Sequence, residues 1–167
     1  MSREILFKAK RIDNGEWVEG SYYIQDYYYG DEVEKHIIIT SSDSLTNDFD
    51  LDFYEVIPET LGQFTWLTDK YGKRIFEGDI VRNEKHYYDG VVCFGRIGND
   101  GGIGLNGYFI KEIDIYGDFD GQEIDYDTKE IFYECDRGID LKQLEVIGNI
   151  HDNGELLTAE RRDNENQ

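Results

Sequence analysis

Apolar and polar side chains alternate along much of the chain, which is the pattern of β-strands rather than of helices. Near the start, Ile5, Phe7 and Ala9 take every second position, and a period of two puts them on one face of a strand. Asn14-Gly15 follows before the next apolar run. Because these two residues adopt positive φ at low cost, Asn-Gly between such runs predicts a tight β-hairpin.

The rest of the pattern predicts more short strands and little helix. Residues 35–40 have a continuous apolar centre of three isoleucines, which predicts a strand buried on both faces. Asn153 is a suitable N-cap for a short C-terminal helix that would run to Arg161. The expected fold class is therefore mainly β, with small, strongly bent, barrel-like sheets (SH3-like or related), hairpins and that short C-terminal helix.

The most strongly patterned stretch is residues 63–81, where short apolar runs are broken at two corners. Tyr71-Gly72 and Glu77-Gly78-Asp79 form these corners. Gly and Asp have a backbone reason to occupy corners, since Gly accepts positive φ and Asp bonds to nearby N–H groups. We therefore interpret the stretch as a structural scaffold and not as a ligand site.

The chain is strongly acidic, with 17 Lys and Arg residues against 37 Asp and Glu residues and a net charge of −20. Phosphate backbones repel such a chain, so no direct binding to nucleic acid is expected. We interpret the acid excess as a solubility feature. The alternative is a surface that mimics DNA and inhibits a DNA-binding protein of the host.

Aromatic residues are abundant, with 13 Tyr, 9 Phe and 2 Trp. Without a basic groove, a β core or a protein interface explains them better than base stacking does. We therefore expect contact with an unknown protein partner and a homo-oligomer. The candidate interface residues are Trp66, Tyr27 and Tyr28.

No feature of the sequence indicates export or a membrane. The first residues lack the apolar core of a secretory signal, and no apolar run approaches the length of a membrane span. Cys93 and Cys135 are not in a CxxC or Cys/His spacing, so no zinc framework is indicated. The expected location is the cytoplasm, with reduced thiols and no membrane contact.

Two clusters could carry chemistry, and both have simpler explanations. Residues 102–107 match GxGxxG, but a strand is predicted after them where a dinucleotide site needs a helix. Six acids crowd residues 114–127 without the order of an EF-hand loop. A solvated loop is favoured there over a metal site. The candidate ligands of such a metal site would be Asp118, Asp120 and Asp125.

The sequence assigns no catalytic residue. Neither an enzymatic activity nor a cofactor is expected, and a metal-dependent hydrolase is the least favoured alternative.

Three separate parts of the chain resemble the YopX family. They are residues 7–9 with Trp17-Val18 and Gly20, the stretch at residues 63–81, and residues 146–150 followed by Asn153 and residues 155–157. The chain departs from the family pattern at Trp66, where a small residue, usually Gly, is expected, and at Gly154, where Pro is common. The motif positions, which we interpret as mainly structural, are Gln63, Thr65, Asp69, Gly72, Phe76, Glu77, Gly78, Asp79, Gly148 and Asn149.

The resemblance implies a small, mainly β protein carried by phages and prophages, and it implies no reaction. We expect a phage accessory protein of the bacterial cytoplasm that binds another protein or self-assembles, without enzymatic activity. The expected domains are an N-terminal β-hairpin region at residues 1–55, a YopX-like β-barrel core at residues 56–160 and a disordered tail at residues 161–167.

Overall fold

The structure is a computed structural model that describes residues 5–28, 31–41, 51–83, 88–97, 105–112, 128–130 and 143–157. The predicted mainly β class is confirmed. Within the described ranges, no helix is long and apolar enough to cross a membrane. The strands are β1 (Phe7–Lys10), β2 (Trp17–Tyr28), β3 (Asp31–Ser41), β4 (Leu51–Glu55), β5 (Gly62–Thr68), β6 (Arg74–Phe76), β7 (Asp79–Asn83), β8 (Tyr88–Ile97), β9 (Leu105–Glu112), β10 (Thr128–Glu130) and β11 (Leu144–Asn149).

The chain divides into two compact units, Met1–Phe64 and Thr65–Gln167. The first unit is an antiparallel sheet in the order β4-β3-β2-β1-β5. Its β1–β2 hairpin turns at Gly15, which has φ +73 and donates its N–H to Arg11 O. The predicted hairpin at Asn14-Gly15 is therefore confirmed, but only Gly15 has the positive φ that motivated the prediction. Asn14 contributes through its side chain instead, whose Oδ1 accepts from Glu16 N–H.

One face of this sheet, here called the inner face, carries the core of the first unit. Ala9, Ile38 and Val56 are fully buried there, and Phe7 and Tyr22 pack against them. Directly paired residues of an antiparallel sheet share a face, and Tyr22 pairs with Ile38. The inner face is thus set by the alternation along each strand.

The isoleucines of residues 35–40 are not buried on both faces, so that prediction is wrong. Ile38 is fully buried, whereas Ile37 and Ile39 point to the opposite face and are only partly buried. An antiparallel sheet, unlike a parallel one, can leave one face in water. A continuous apolar run was therefore not sufficient to show burial on both sides.

The second unit contains a five-stranded antiparallel sheet in the order β10-β9-β8-β7-β11. Its core is formed by Ile75, Val81, Val92, Ile110 and Leu144. The edge strands β10 and β11 stand at opposite ends of this order, and a barrel closes only when its edge strands pair. The described residues therefore form no closed barrel, which corrects the barrel-like, SH3-like part of the fold prediction.

The predicted C-terminal helix is only a 3-10 turn at Gly154–Leu157 in the described residues. Asn153 Oδ1 accepts a hydrogen bond from Asn149 N–H instead of capping the residues that follow it. The turn also begins with Gly, which is a poor helix former. Arg161 and the predicted tail at residues 161–167 lie outside the described residues.

Candidate functional site

The loop between β5 and β6 is organised by the carboxylate of Asp69. Its Oδ1 accepts hydrogen bonds from the N–H groups of Tyr71 and Lys73, at 2.8 and 2.9 Å. Its Oδ2 accepts one from Val146 N–H in β11 at 3.2 Å. Because the side chain is almost fully buried, Asp69 ties the hairpin loop to an edge strand of the second unit.

Opposing effects act on the pKa of Asp69. Burial raises this pKa, and it is lowered by hydrogen bonds from the N–H groups of Lys73, Val146 and Tyr71 together with the charge of Lys73, which outweigh burial. The result is a pKa below the ordinary range of aspartate, because hydrogen bonds to the charged form favour that form. The loop is therefore built around the ionised carboxylate.

We expect Asp69→Asn to lower the free energy of unfolding near neutral pH by about 2 kcal/mol, because an amide group cannot accept all three hydrogen bonds. A pKa that is lower in the folded state stabilises the fold above the unfolded pKa, and this contribution is lost as the pH falls through the folded pKa. The difference between the two proteins should therefore shrink below about pH 4. Urea unfolding from about pH 7 to about pH 3 measures it, and a constant difference contradicts the ionic role.

The second corner of residues 63–81 is a buried hydrogen-bond network around Asp79, which is 1% exposed. Its Oδ2 accepts from Phe76 N–H at 2.8 Å, and its Oδ1 accepts from Asn149 Nδ2 at 3.1 Å. Gly78 occupies the corner with φ +82 and donates its N–H to Val92 O. The corner between β6 and β7 is thus held to β8 and to the end of β11.

The chain after β11 completes this network from the other side. Asn149 Oδ1 accepts from His151 N–H, and Asn153 Oδ1 accepts from Asn149 N–H. A Cβ added to Gly148 would lie 2.6 Å from Asn153 Oδ1. The approach of the Asn153 side chain therefore requires glycine at position 148.

The other motif residues lie in the same strands and turns. Thr65 is fully buried and its hydroxyl donates to Ile75 O at 2.8 Å. Gln63 is partly buried in β5 and pairs with Phe7 of β1. Gly72 has φ +83 in the hairpin loop. Packing therefore explains Thr65, and backbone geometry explains Gly72.

Glu77 acts electrostatically on two titratable side chains of β8 and β9. Burial raises the pKa of Glu77 itself, opposed by a hydrogen bond from Phe94 N–H. Burial, and next the charge of Glu77, raise the pKa of Tyr108 to about 12. Burial also raises the pKa of Cys93, which Lys111 lowers and Glu77 raises. The half-buried thiol of Cys93 is thus held in its unreactive protonated form.

The departure from the family pattern at Trp66 has a backbone explanation. Among the described residues, Trp66 is the only non-glycine residue with positive φ, at +71. This conformation costs a residue with a Cβ about 1–2 kcal/mol, and glycine adopts it without that cost. The indole is 40% exposed, so the side chain has room and the strain is in the backbone. Its predicted role in an interface stays a prediction.

The face of the first sheet opposite the inner face is a surface that sequence reasoning did not single out. Tyr23 and Leu51 are each 52% exposed, and Phe53 is 62% exposed. The sequence indicated this surface only in part, because Leu51 and Phe53 occupy alternate positions and so share one face of a strand. The structure pairs that strand, β4, with β3. We call the group the apolar face and define it as five side chains of β2, β3 and β4, which are Tyr23, Ile37, Ile39, Leu51 and Phe53.

Charged side chains border the apolar face. The Nζ atoms of Lys8 and Lys10 lie 4.8 and 5.6 Å from the ring centroid of Trp17. Lys35 Nζ pairs with Glu55 Oε2 at 2.8 Å. Among the side chains that the structure describes, the strand registers place charged residues of both signs on this side of the sheet, namely Lys8, Lys10, Lys35, Glu19 and Glu55.

A hydrogen-bonded chain of three polar side chains links β2 and β3. The Tyr22 hydroxyl contacts His36 Nδ1, and His36 Nε2 lies 2.9 Å from Glu34 Oε1. Burial, and next the charge of Glu34, raise the pKa of Tyr22. Because a protonated phenol is a weak nucleophile, we interpret this chain as a link between strands and not as an activated group.

The remaining predicted residues are described only in part or not at all. The backbones of Tyr27 and Tyr28 pair with Glu32 and Asp31 of β3. The side chains of Tyr27 and Tyr28 are not among those that the structure describes. Within the described ranges, no group of three or more His, Cys, Asp or Glu side chains could hold a metal ion. The candidate metal ligands lie outside the described residues, namely Asp118, Asp120 and Asp125.

Comparison with known proteins identifies the family. A family model described as YopX protein matches residues 6–158. The chain belongs to the YopX family, in agreement with the resemblance of its three motif-bearing parts. A search of curated proteins finds no match.

Proposed function

We propose that this YopX-family chain is a non-enzymatic accessory protein of phages and prophages that binds another protein in the cytoplasm of the bacterial host. The observation that carries the proposal is the apolar face of the first sheet. Its three largest exposed side chains are each more than half in water. Contiguous exposed apolar surface marks contact sites, because covering it is favourable.

The composition of the apolar face fits a protein partner. Aromatic and aliphatic side chains occupy its centre, and charged residues of both signs border it, which is the usual anatomy of a protein interface. Tyr23 and Phe53 are large side chains with few rotatable bonds. Such anchors, when they enter pockets on a partner, carry most of the binding energy of an interface.

The polar motif residues support the same proposal because their side chains bond within the fold instead of forming a binding site. Asp69, Asp79 and Asn149 direct their side chains at backbone N–H groups or at each other. Their hydrogen bonds stabilise the fold, so the family motif is explained as a scaffold. No observation on the described residues favours the DNA-mimic or the hydrolase alternative.

The test is affinity capture by the full chain from phage-infected host lysate, at low and at high salt. Three forms are compared: the wild type, the double variant Tyr23→Ser with Phe53→Ser, and Tyr71→Ser. The last removes an exposed tyrosine of the β5–β6 loop that is not one of the five side chains of the apolar face. We expect a protein that the wild type and Tyr71→Ser retain and that the double variant loses.

The folding of each form is checked by thermal melting, so that loss of capture is not confused with loss of structure. The same proteins captured by all three forms would show that the apolar face is not the contact surface. Turnover of a substrate by the purified chain would overturn the non-enzymatic part of the proposal.

A further inference from the structure

The charge around the apolar face differs from the charge of the whole chain. The chain carries a net charge of −20, so two copies repel each other at long range. Among the described side chains, those on the side of the first sheet that holds the apolar face include three lysines beside two glutamates. Repulsion between copies is therefore not concentrated there, and two copies can approach closely when these faces meet.

The charged residues around the apolar face can also pair with the same residues of a second copy, because both signs of charge are present. A two-fold interface brings the same patch of two copies together, so the patch needs both signs of charge around an apolar centre. Lys35 and Glu55 already form a pair at 2.8 Å across β3 and β4. A nucleic acid or a strongly acidic protein would instead require cations without neighbouring carboxylates, and Glu19 and Glu55 count against both.

The surface has the dimensions of a small specific interface. Four strands, β1 to β4, lie side by side, which gives a width of roughly 19 Å at about 4.8 Å per strand. Residues 17–25 of β2 extend roughly 30 Å. The projected area is roughly 500 Å², and side-chain relief brings the accessible area closer to the 800 Å² or so that each partner of a standard interface buries.

We propose that the occupant of the apolar face is a second copy of this chain, packed face to face about a two-fold axis. Two sheets stacked in this way lie about 10 Å apart with their apolar side chains interdigitated. Tyr23 and Phe53 of each copy then lie between the sheets. The inference rests on the proposed function, because it names the partner of the same surface.

The test is sedimentation velocity of the full chain over a series of concentrations and salt concentrations, without any other protein. We expect the mass to rise from 19.5 kDa towards twice that value as the concentration increases. Tyr23→Ser and Phe53→Ser should each weaken self-association at least about tenfold. Tyr71→Ser, outside the apolar face, should leave it unchanged.

The sign of the salt effect separates a second copy from other occupants. Raising salt from about 0.05 M to about 0.5 M screens the repulsion between two acidic chains, so self-association should become tighter. Binding of an acidic protein or of single-stranded DNA through the lysines would become weaker. Oligothymidylate added at low salt is the probe for that outcome, with tryptophan fluorescence as the readout.

A mass that stays at 19.5 kDa at every concentration would overturn the second-copy inference. So would a dimer that both face variants leave unchanged. The lysate experiment decides the proposed function separately, because a host protein lost by the double variant supports protein binding even when the chain is a monomer by itself.

Discussion

Replacing Asp79 with alanine is expected to lower the free energy of unfolding by about 4 kcal/mol, because two buried hydrogen-bond donors lose their acceptor. These donors are the N–H of Phe76 and the Nδ2 group of Asn149, at 2.8 and 3.1 Å from the carboxylate. With the side chain 1% exposed, water cannot replace the carboxylate without opening the corner. Urea unfolding followed by circular dichroism measures the change.

Two further variants show whether the hydrogen bonds are the cause. Asp79→Asn keeps an oxygen for Phe76 N–H but sets one amide group against that of Asn149, so we expect roughly half the loss. Asp13→Ala removes an exposed carboxylate from the first hairpin and should leave the unfolding midpoint unchanged. An Asp79→Ala variant as stable as Asp13→Ala would show that the corner tolerates the unpaired donors.

Replacing Gly20 with alanine is expected to destabilise the first unit by about 3 kcal/mol, although it adds only one methyl group. The added Cβ would lie 2.2 Å from Ile39 O and 2.9 Å from Ile38 Cγ2. The closer atom belongs to the backbone of β3, which cannot move without disturbing the β2–β3 ladder. Amide hydrogen exchange in β2 and β3, together with urea unfolding, measures the effect.

Gly154→Ala is the matched control for this prediction. A Cβ at Gly154 would meet nothing within 4 Å, so the variant should be neutral or slightly stabilising through the unfolded chain. Unchanged hydrogen exchange in Gly20→Ala would mean that β2 and β3 separate at this point at little cost.

Local features were predictable from the sequence because short-range chemistry determines them. The hairpin at Asn14-Gly15 follows from a glycine that accepts the positive φ of a tight turn. The corners at Gly72 and Gly78 have φ of +83 and +82, as expected for glycine between short apolar runs. The family resemblance rested on these corners, and the family match over residues 6–158 confirms it.

The pairing of strands was less accessible to sequence reasoning. The barrel prediction treated bent hairpins as evidence of closure, but closure depends on which edges meet, and β10 and β11 stand at opposite ends of their sheet. The helix predicted from Asn153 was lost to a contact with Asn149 N–H. The side chain of Asn153 thus bonds to a residue four positions before it and not to the residues that follow it.

The candidate contact surface shows the same division. Alternation in β4 placed Leu51 and Phe53 on one face, but only the register of β3 and β4 aligns Phe53 with Ile39. Likewise, the sequence showed that Trp66 replaces an expected glycine, and the structure added that its φ is +71. The local sequence pattern encodes neither the pairing of Phe53 with Ile39 nor the φ of Trp66.

The sequence by itself determined the mainly β class, the positions of the glycine turns, the strong negative charge and the family. These properties depend on residue type and on spacings of a few residues. Only the tertiary structure decided that Asp69 bonds to Val146 and Asp79 to Asn149, and that one face of the first sheet leaves its apolar side chains in water. The physical reason is that contacts between distant residues are selected by the packing of the whole chain, which no short window of sequence contains.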